Sequence, residues 1–161
     1  MSERLFKTDV LFLQRILAVS GFYDGPLNGK FTGAVDDAEE KFFKKYEAIK
    51  TKLGEFDNRT EGCIQTMIPE AQTKAREFMN AVKGLPLTYK IISGTRTYAE
   101  QDVLFAKRPR VTKAKGGQSN HNFGIAWDVG IFENGKYYEG NTAKEDKAYV
   151  KLGELIKQKV V

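Results

Sequence analysis

The chain contains, at residues 119–128, the stretch Ser119-Asn120-His121-Asn122-Phe123-Gly124-Ile125-Ala126-Trp127-Asp128. From Gly124 to Phe132 the side chains alternate in character, which predicts a β-strand. The following Glu133-Asn134-Gly135 has the composition of a hairpin turn, so the chain is expected to return as a second strand from Lys136 to Tyr138. This stretch therefore predicts the centre of a small sheet.

The alternation gives the predicted strand two different faces. Ile125 and Trp127 share an apolar face, which we expect in the core. Asp128 lies on the other face, between Ala126 and Gly130, which leave space above the carboxylate. This face is the natural place for a ligand or a metal ion.

His121 precedes this strand and is the only histidine of the sequence. A turn at Phe123-Gly124 can fold the imidazole over Asp128. Imidazole nitrogen and carboxylate oxygen suit zinc, although a histidine near an aspartate also forms simple hydrogen-bonded structural pairs. A single histidine excludes the HExxH and three-histidine zinc sites. The sequence also has no Gly-x-Ser-x-Gly elbow for a serine hydrolase.

The remaining pattern predicts helices around the sheet. Pro69 suits the first position of a helix that Gly84 ends, and Leu87–Ser93 has the composition of a strand. Thr97 and Glu100 are spaced as a capping box for a helix over 98–107 that turns Val103 and Leu104 inward. A last helix is predicted over 144–157. Together these elements indicate an α+β fold.

A separate helical unit is predicted over residues 8–50. Asp9 can cap a helix over Val10–Ser20, and a second amphipathic helix fits Gly33–Lys50. The polar segment Thr51–Arg59, which contains Gly54, is the expected linker.

Composition narrows the class of protein. The charge is 26 − 21 = +5, and 41% of the residues are hydrophobic, which is enough for a packed core. Cys63 is the only cysteine, so an intramolecular disulfide and a four-thiolate metal site are excluded. No window has the length and apolarity of a membrane span, and no secretory signal is recognised.

Five of the nine residues from Lys107 to Lys115 are basic. The cluster suits a polyanion such as an anionic wall polymer, but a solvated surface loop is the favoured interpretation. No helix-turn-helix, zinc-finger or RNA-binding pattern accompanies it, so nucleic acid is not an expected partner.

The pattern Ser119-x-His121-x-x-Gly124-x-Ala126-x-Asp128, preceded by Ser93-Gly94-Thr95-Arg96 and Gln101, resembles a known family. It is similar to the zinc D-alanyl-D-alanine carboxypeptidases and L-alanyl-D-glutamate peptidases, a group that includes many phage endolysins. The resemblance extends over about residues 57–156. It implies a small antiparallel sheet with flanking helices and a peptidase domain over residues 57–161.

The resemblance also implies roles for single residues. His121 and Asp128 would bind Zn²⁺, and Arg96 would contact the reacting carbonyl or its oxyanion. Gln101 and Ser119 would line the substrate cleft. The implied function is zinc-dependent hydrolysis of the peptide stems of bacterial peptidoglycan, after synthesis in the cytoplasm without a signal peptide and release or export to the wall.

Residues 1–52 have a resemblance of their own, to the small helical peptidoglycan-binding domain attached to cell-wall hydrolases. It rests on Leu13-Gln14, Gly21-Phe22-Tyr23, Gly25-Pro26 and Asn28-Gly29. Tyr23 is expected to be exposed at a turn and to stack on a sugar. The alternative is a helical hairpin that packs on the peptidase domain.

The sequence departs from the peptidase family in one respect. The family completes its zinc site with a second histidine in a C-terminal strand, preceded by a carboxylate that acts as general base, and neither is present here. We expect a truncated form of a longer protein. The alternatives are a ligand supplied by another chain and an inactive, wall-binding protein that retains the fold.

Overall fold

The protein is built from helices around a three-stranded sheet. The computed structural model describes residues 5–159. In chain order the elements are α1 (Val10–Val19), α2 (Gly33–Leu53), α3 (Asn58–Ile64), α4 (Pro69–Val82), β1 (Thr88–Ser93), α5 (Tyr98–Ala106), a 3-10 helix (Asn120–Phe123), β2 (Asp128–Glu133), β3 (Lys136–Tyr137) and α6 (Ala143–Lys159). The predicted α+β fold with a small antiparallel sheet and flanking helices is confirmed. Within residues 5–159, no helix is long and apolar enough to cross a lipid bilayer.

Local sequence signals set most of the element boundaries. Asp9 caps α1 by accepting a hydrogen bond from the Phe12 backbone, and Pro69 opens α4. Thr97 and Glu100 form the predicted capping box at the start of α5. Asn134 and Gly135 both adopt positive φ in the hairpin between β2 and β3, the backbone that a two-residue hairpin turn requires.

The pairing of β1 with β2 places Ser93 beside Asp128. Strands β1 and β2 are antiparallel, with Ile91 opposite Val129 and Ser93 opposite Asp128. The register shifts between Ile91 and Ser93, which indicates a bulge or irregularity in β1. The last residue of β1 therefore lies beside the first residue of β2.

The predicted strand over Gly124–Phe132 is only partly correct. Gly124 has a left-handed backbone that ends the preceding 3-10 helix, and strand β2 begins at Asp128. Ile125 is 48% exposed, so its predicted place in the core is wrong, whereas Ile131 is fully buried. Gly130 does not leave open space, since a Cβ there would lie 2.9 Å from the Ile92 side chain.

Helices occupy both ends of the predicted linker Thr51–Arg59, and residues 54–57 separate them. Helix α2 continues to Leu53, and α3 begins at Asn58 after the cap residue Asp57. The sequence analysis missed α3 because seven residues with Gly62 in their midst show little apolar periodicity. In α5, Val103 is 64% exposed rather than inward, and Gln101 is the buried residue.

Two clusters of buried side chains form the interior. One contains Phe78 of α4 and Ile91 of β1, and the other contains Phe12 of α1. Helix α2 contributes to both clusters, through Tyr46 and Phe42 respectively. The N-terminal helices therefore pack against the rest of the protein.

A buried ion pair reinforces this junction. Arg76 donates to both carboxylate oxygens of Glu61 at 2.8 and 2.7 Å, and Tyr46 donates to Glu61 at 2.7 Å. Burial acts to raise the pKa of Glu61, but the hydrogen bonds from Arg76 and Tyr46 outweigh it and lower that pKa. Arg76 also donates to the carbonyl of Gly54, at the end of α2.

Candidate active site

The segment that follows β1 is held against the turn after α3. The Thr95 hydroxyl donates to the carbonyl of Thr66 at 2.6 Å, and the Thr95 backbone N–H donates to the Thr66 hydroxyl at 3.1 Å. Gly94 is required there, because a Cβ would lie 2.5 Å from the carbonyl oxygen of Cys63. This contact fixes the Gly94 carbonyl and the start of the Arg96 side chain.

His121 is held in one orientation by this segment. Its Nδ1 lies 2.7 Å from the carbonyl oxygen of Gly94, so Nδ1–H donates to that carbonyl. The Arg96 backbone N–H donates to the His121 carbonyl at 3.0 Å. The other ring nitrogen, Nε2, faces Asp128 with 3.4 Å between Nε2 and Oδ1. A backbone partner on Nδ1 is the arrangement that orients metal-binding histidines.

Asp128 uses its two carboxylate oxygens for different partners. Oδ1 faces His121, and Oδ2 accepts a hydrogen bond from Arg96 Nη2 at 3.0 Å. The neighbouring imidazole of His121 lowers the pKa of Asp128 most, partial burial opposes it, and the charge of Arg96 lowers that pKa further. Asp128 is therefore an ionised, half-exposed acceptor.

Gln101 occupies a different place from the one expected. Its side chain is fully buried; Oε1 accepts from Arg96 Nη1 at 2.8 Å and Nε2 donates to the carbonyl of Ala114 at 2.9 Å. A buried side chain does not line a cleft, so that expectation is corrected. Gln101 instead holds Nη1 of the Arg96 guanidinium, whose Nη2 contacts Asp128.

Asn122 is a further site residue, which the sequence analysis did not single out. It is 2% exposed, and its Oδ1 accepts from the backbone N–H groups of Gly117 and Ser119. Its Nδ2 donates to the carbonyl of Arg96 at 2.8 Å. The spacing Ser119-x-x-Asn122 resembles a capping box, and this was the available signal.

Ser119 and Tyr23 lie in different parts of the structure. Ser119 is partly exposed beside His121 and caps the 3-10 helix, where its hydroxyl accepts from the His121 N–H at 3.4 Å. Tyr23 is only 8% exposed; it packs in the N-terminal cluster and donates to the carbonyl of Pro26. The expectation of an exposed Tyr23 is wrong, because the ring folds over Gly25.

The donor pair at the centre fits part of a zinc site. Two ligands at about 2.0–2.2 Å from a tetrahedral zinc ion are separated by about 3.3 Å. The observed 3.4 Å between His121 Nε2 and Asp128 Oδ1 matches this ligand-to-ligand distance. Among residues 5–159, no group of three or more histidine, cysteine, aspartate and glutamate side chains is arranged to hold a metal. The described residues thus supply two ligand positions.

Comparison with protein families gives a match over the same part of the chain. The family model of VanY, described as D-alanyl-D-alanine carboxypeptidase, matches residues 65–159. The matched range contains all three strands of the sheet. It also contains Arg96, Gln101 and Asn122, which surround His121 and Asp128.

Proposed function

The chain belongs to the VanY family of D-alanyl-D-alanine carboxypeptidases, and from this membership we propose that it is a zinc-dependent peptidase that hydrolyses peptide stems of bacterial peptidoglycan. The observation that supports the zinc dependence is the pair His121 Nε2 and Asp128 Oδ1, 3.4 Å apart, with the opposite imidazole nitrogen bound to the Gly94 carbonyl. With the proton on Nδ1, the lone pair of Nε2 is available to bind a metal ion.

His121 and Asp128 would hold the zinc ion. Zinc supplies Lewis acidity, which activates water and polarises an amide carbonyl. The Gly94 carbonyl fixes the imidazole tautomer, so Nε2 is available without a change in side-chain rotation. Arg96 keeps Asp128 ionised and oriented through its contact with Oδ2.

Arg96 is the residue we assign to charge stabilisation. Its side chain remains partly exposed beside Asp128, and its guanidinium is permanently charged. Negative charge grows on the carbonyl oxygen when an amide is attacked, and a fixed cation there lowers the barrier. Ser119, partly exposed next to His121, is the residue we assign to substrate contact.

A second candidate is a wall-binding protein that keeps the peptidase fold without the activity. The observation that favours it is that only two ligating side chains meet at the centre within residues 5–159. Under either candidate, we propose that residues 1–52 act as a wall-binding module.

Zinc affinity and peptide release distinguish the two candidates. Zinc binding is measured by competition with a chromogenic chelator for the parent protein, His121→Ala, Asp128→Asn and the control Asp37→Asn, which alters an exposed residue of α2. We expect the two site variants to lose about a hundredfold in affinity and the control to match the parent. New termini released from purified peptidoglycan are then identified by mass spectrometry, which separates removal of a terminal D-alanine from internal cleavage. A parent that sediments with purified peptidoglycan but binds no zinc and releases no termini would support the second candidate instead.

A further inference from the structure

The loop over residues 107–115, called here the basic loop, concentrates positive charge. No acidic residue occurs between Asp102 and Asp128, whereas the basic loop carries five cations. All five are exposed: Lys107, Arg108, Arg110, Lys113 and Lys115. Within the part of the chain that the structure describes, none of them forms an ion pair, whereas Lys44, Lys74 and Lys144 elsewhere do. The positive field of the basic loop is therefore not neutralised by its own protein.

The basic loop is anchored at both ends. Arg108 donates to the carbonyl of Ala106, the last residue of α5, at 3.1 Å and to that of Lys107 at 2.9 Å. At the other end Gln101 holds the Ala114 carbonyl, and the Gly116 N–H donates to Asp102 at 2.8 Å. Because Gln101 also binds Arg96, the cations are presented on a fixed loop two hydrogen bonds away from the candidate active site.

We propose that the basic loop binds a phosphodiester-linked anionic polymer of the bacterial wall, next to the site of peptide cleavage. A single carboxylate gains little from exposed cations, because one solvent-exposed ion pair contributes only about 0–1 kcal/mol. A chain of regularly spaced charges engages several cations at once and releases their counterions. The assignment of the polymer to the wall rests on the proposed function, but the binding itself does not require hydrolysis.

The chemistry of the basic loop favours such a polymer over nucleic acid. Proteins that hold single-stranded nucleic acid present free aromatic faces on which bases stack. The basic loop contains no aromatic residue. The neighbouring Phe105 is covered by its own cations, with Arg110 5.1 Å and Lys115 5.4 Å from the ring centre. Charge is thus the means of recognition.

The test compares two variants of equal net charge. The loop variant is Lys107→Gln/Arg110→Gln/Lys113→Gln; it spares Arg108, which binds α5. The control is Lys147→Gln/Lys151→Gln/Lys157→Gln, three exposed lysines of α6 that lie outside residues 1–52. Each purified full chain is sedimented with walls that carry the phosphodiester polymer and with the same walls after acid removal of that polymer, over a range of salt concentrations. Melting temperatures confirm that each variant is folded.

We expect the loop variant to bind polymer-bearing walls at least about tenfold more weakly than the control. The slope of log affinity against log salt should become shallower by roughly 2, because three cations no longer displace counterions. On stripped walls the two variants should bind alike. Equal binding of both variants to polymer-bearing walls would overturn the proposal. Tighter binding of the parent to a single-stranded oligonucleotide with the same number of phosphates would also overturn it, in favour of nucleic acid.

Discussion

Arg96 and Asp128 form an ion pair of 3.0 Å between residues that are 32 positions apart in the chain. The pair joins the segment after β1 to the first residue of β2. It orients one oxygen of Asp128 away from His121 and leaves the other 3.4 Å from the imidazole. The same guanidinium is held by Gln101 on its opposite side. Arg96 thus connects the candidate metal ligands to the buried support of the site.

Replacement of Arg96 by lysine tests its assignment to charge stabilisation. Lysine keeps the charge but loses the planar fork, so we expect kcat to fall by about a hundredfold or more, equivalent to about 3 kcal/mol, with little change in KM. Arg59→Lys, at an exposed position of α3, is the matched control. The measurements are kcat and KM on a soluble stem peptide, together with the melting temperature. An unchanged kcat with a lowered melting temperature would assign Arg96 a purely structural role.

Replacement of Gln101 by alanine tests the positioning role. The variant leaves the partly buried Ala114 carbonyl without its Gln101 partner and frees Arg96 Nη1, which should cost about 1–3 kcal/mol of unfolding free energy. We also expect kcat to fall while KM stays near the parent value, because the substrate does not contact this side chain. Gln118→Ala, an exposed glutamine of the following loop, provides the comparison. A rise in KM alone would instead indicate that Gln101 contacts substrate.

The buried pair Glu61 and Arg76 predicts an acid-sensitive fold. The pKa of Glu61 is lowered in the folded state, so its stabilising contribution is present above its unfolded pKa, ordinarily 4.5, and is lost as the pH falls through the folded value. At pH 7, Glu61→Gln should lose about 3–5 kcal/mol, because Arg76 is left as an uncompensated buried charge.

Urea unfolding at several pH values between 7 and 3 measures this difference. The gap between the parent and Glu61→Gln should narrow below about pH 4.5. Glu154→Gln, at an exposed position of α6, serves as the control at each pH. A gap that stays constant down to pH 3 would contradict the lowered pKa.

Tyr23 distinguishes packing from sugar stacking. Because the ring is buried, Tyr23→Ala should cost about 3–5 kcal/mol of stability, whereas Tyr23→Phe keeps the ring and loses only the hydrogen bond to Pro26. Both variants should sediment with purified peptidoglycan as the parent does, at temperatures where each is folded. Tyr137→Ala, which removes a tyrosine that is 40% exposed, completes the set. Loss of sedimentation by a folded Tyr23→Ala alone would restore the sugar-binding role.

The sequence by itself determined the features that depend on near neighbours in the chain. The caps at Asp9 and Thr97 and the turn at Asn134-Gly135 were predictable, because their hydrogen bonds or backbone angles involve residues at most four positions apart. The sequence also predicted that Arg96, His121 and Asp128 belong to one site, and the structure brings these three side chains together.

Only the tertiary structure decided which polar side chains face the site. Gln101 and Asn122 are buried because the loop that precedes His121 folds back on α5 and on the segment after β1. Tyr23 is covered because it packs with side chains of α1 and α2. Ile125 is exposed because residues 125–127 precede β2 and do not belong to the strand. Periodicity describes one element at a time, whereas burial depends on which distant segments pack against it, and this is why these positions required the folded protein.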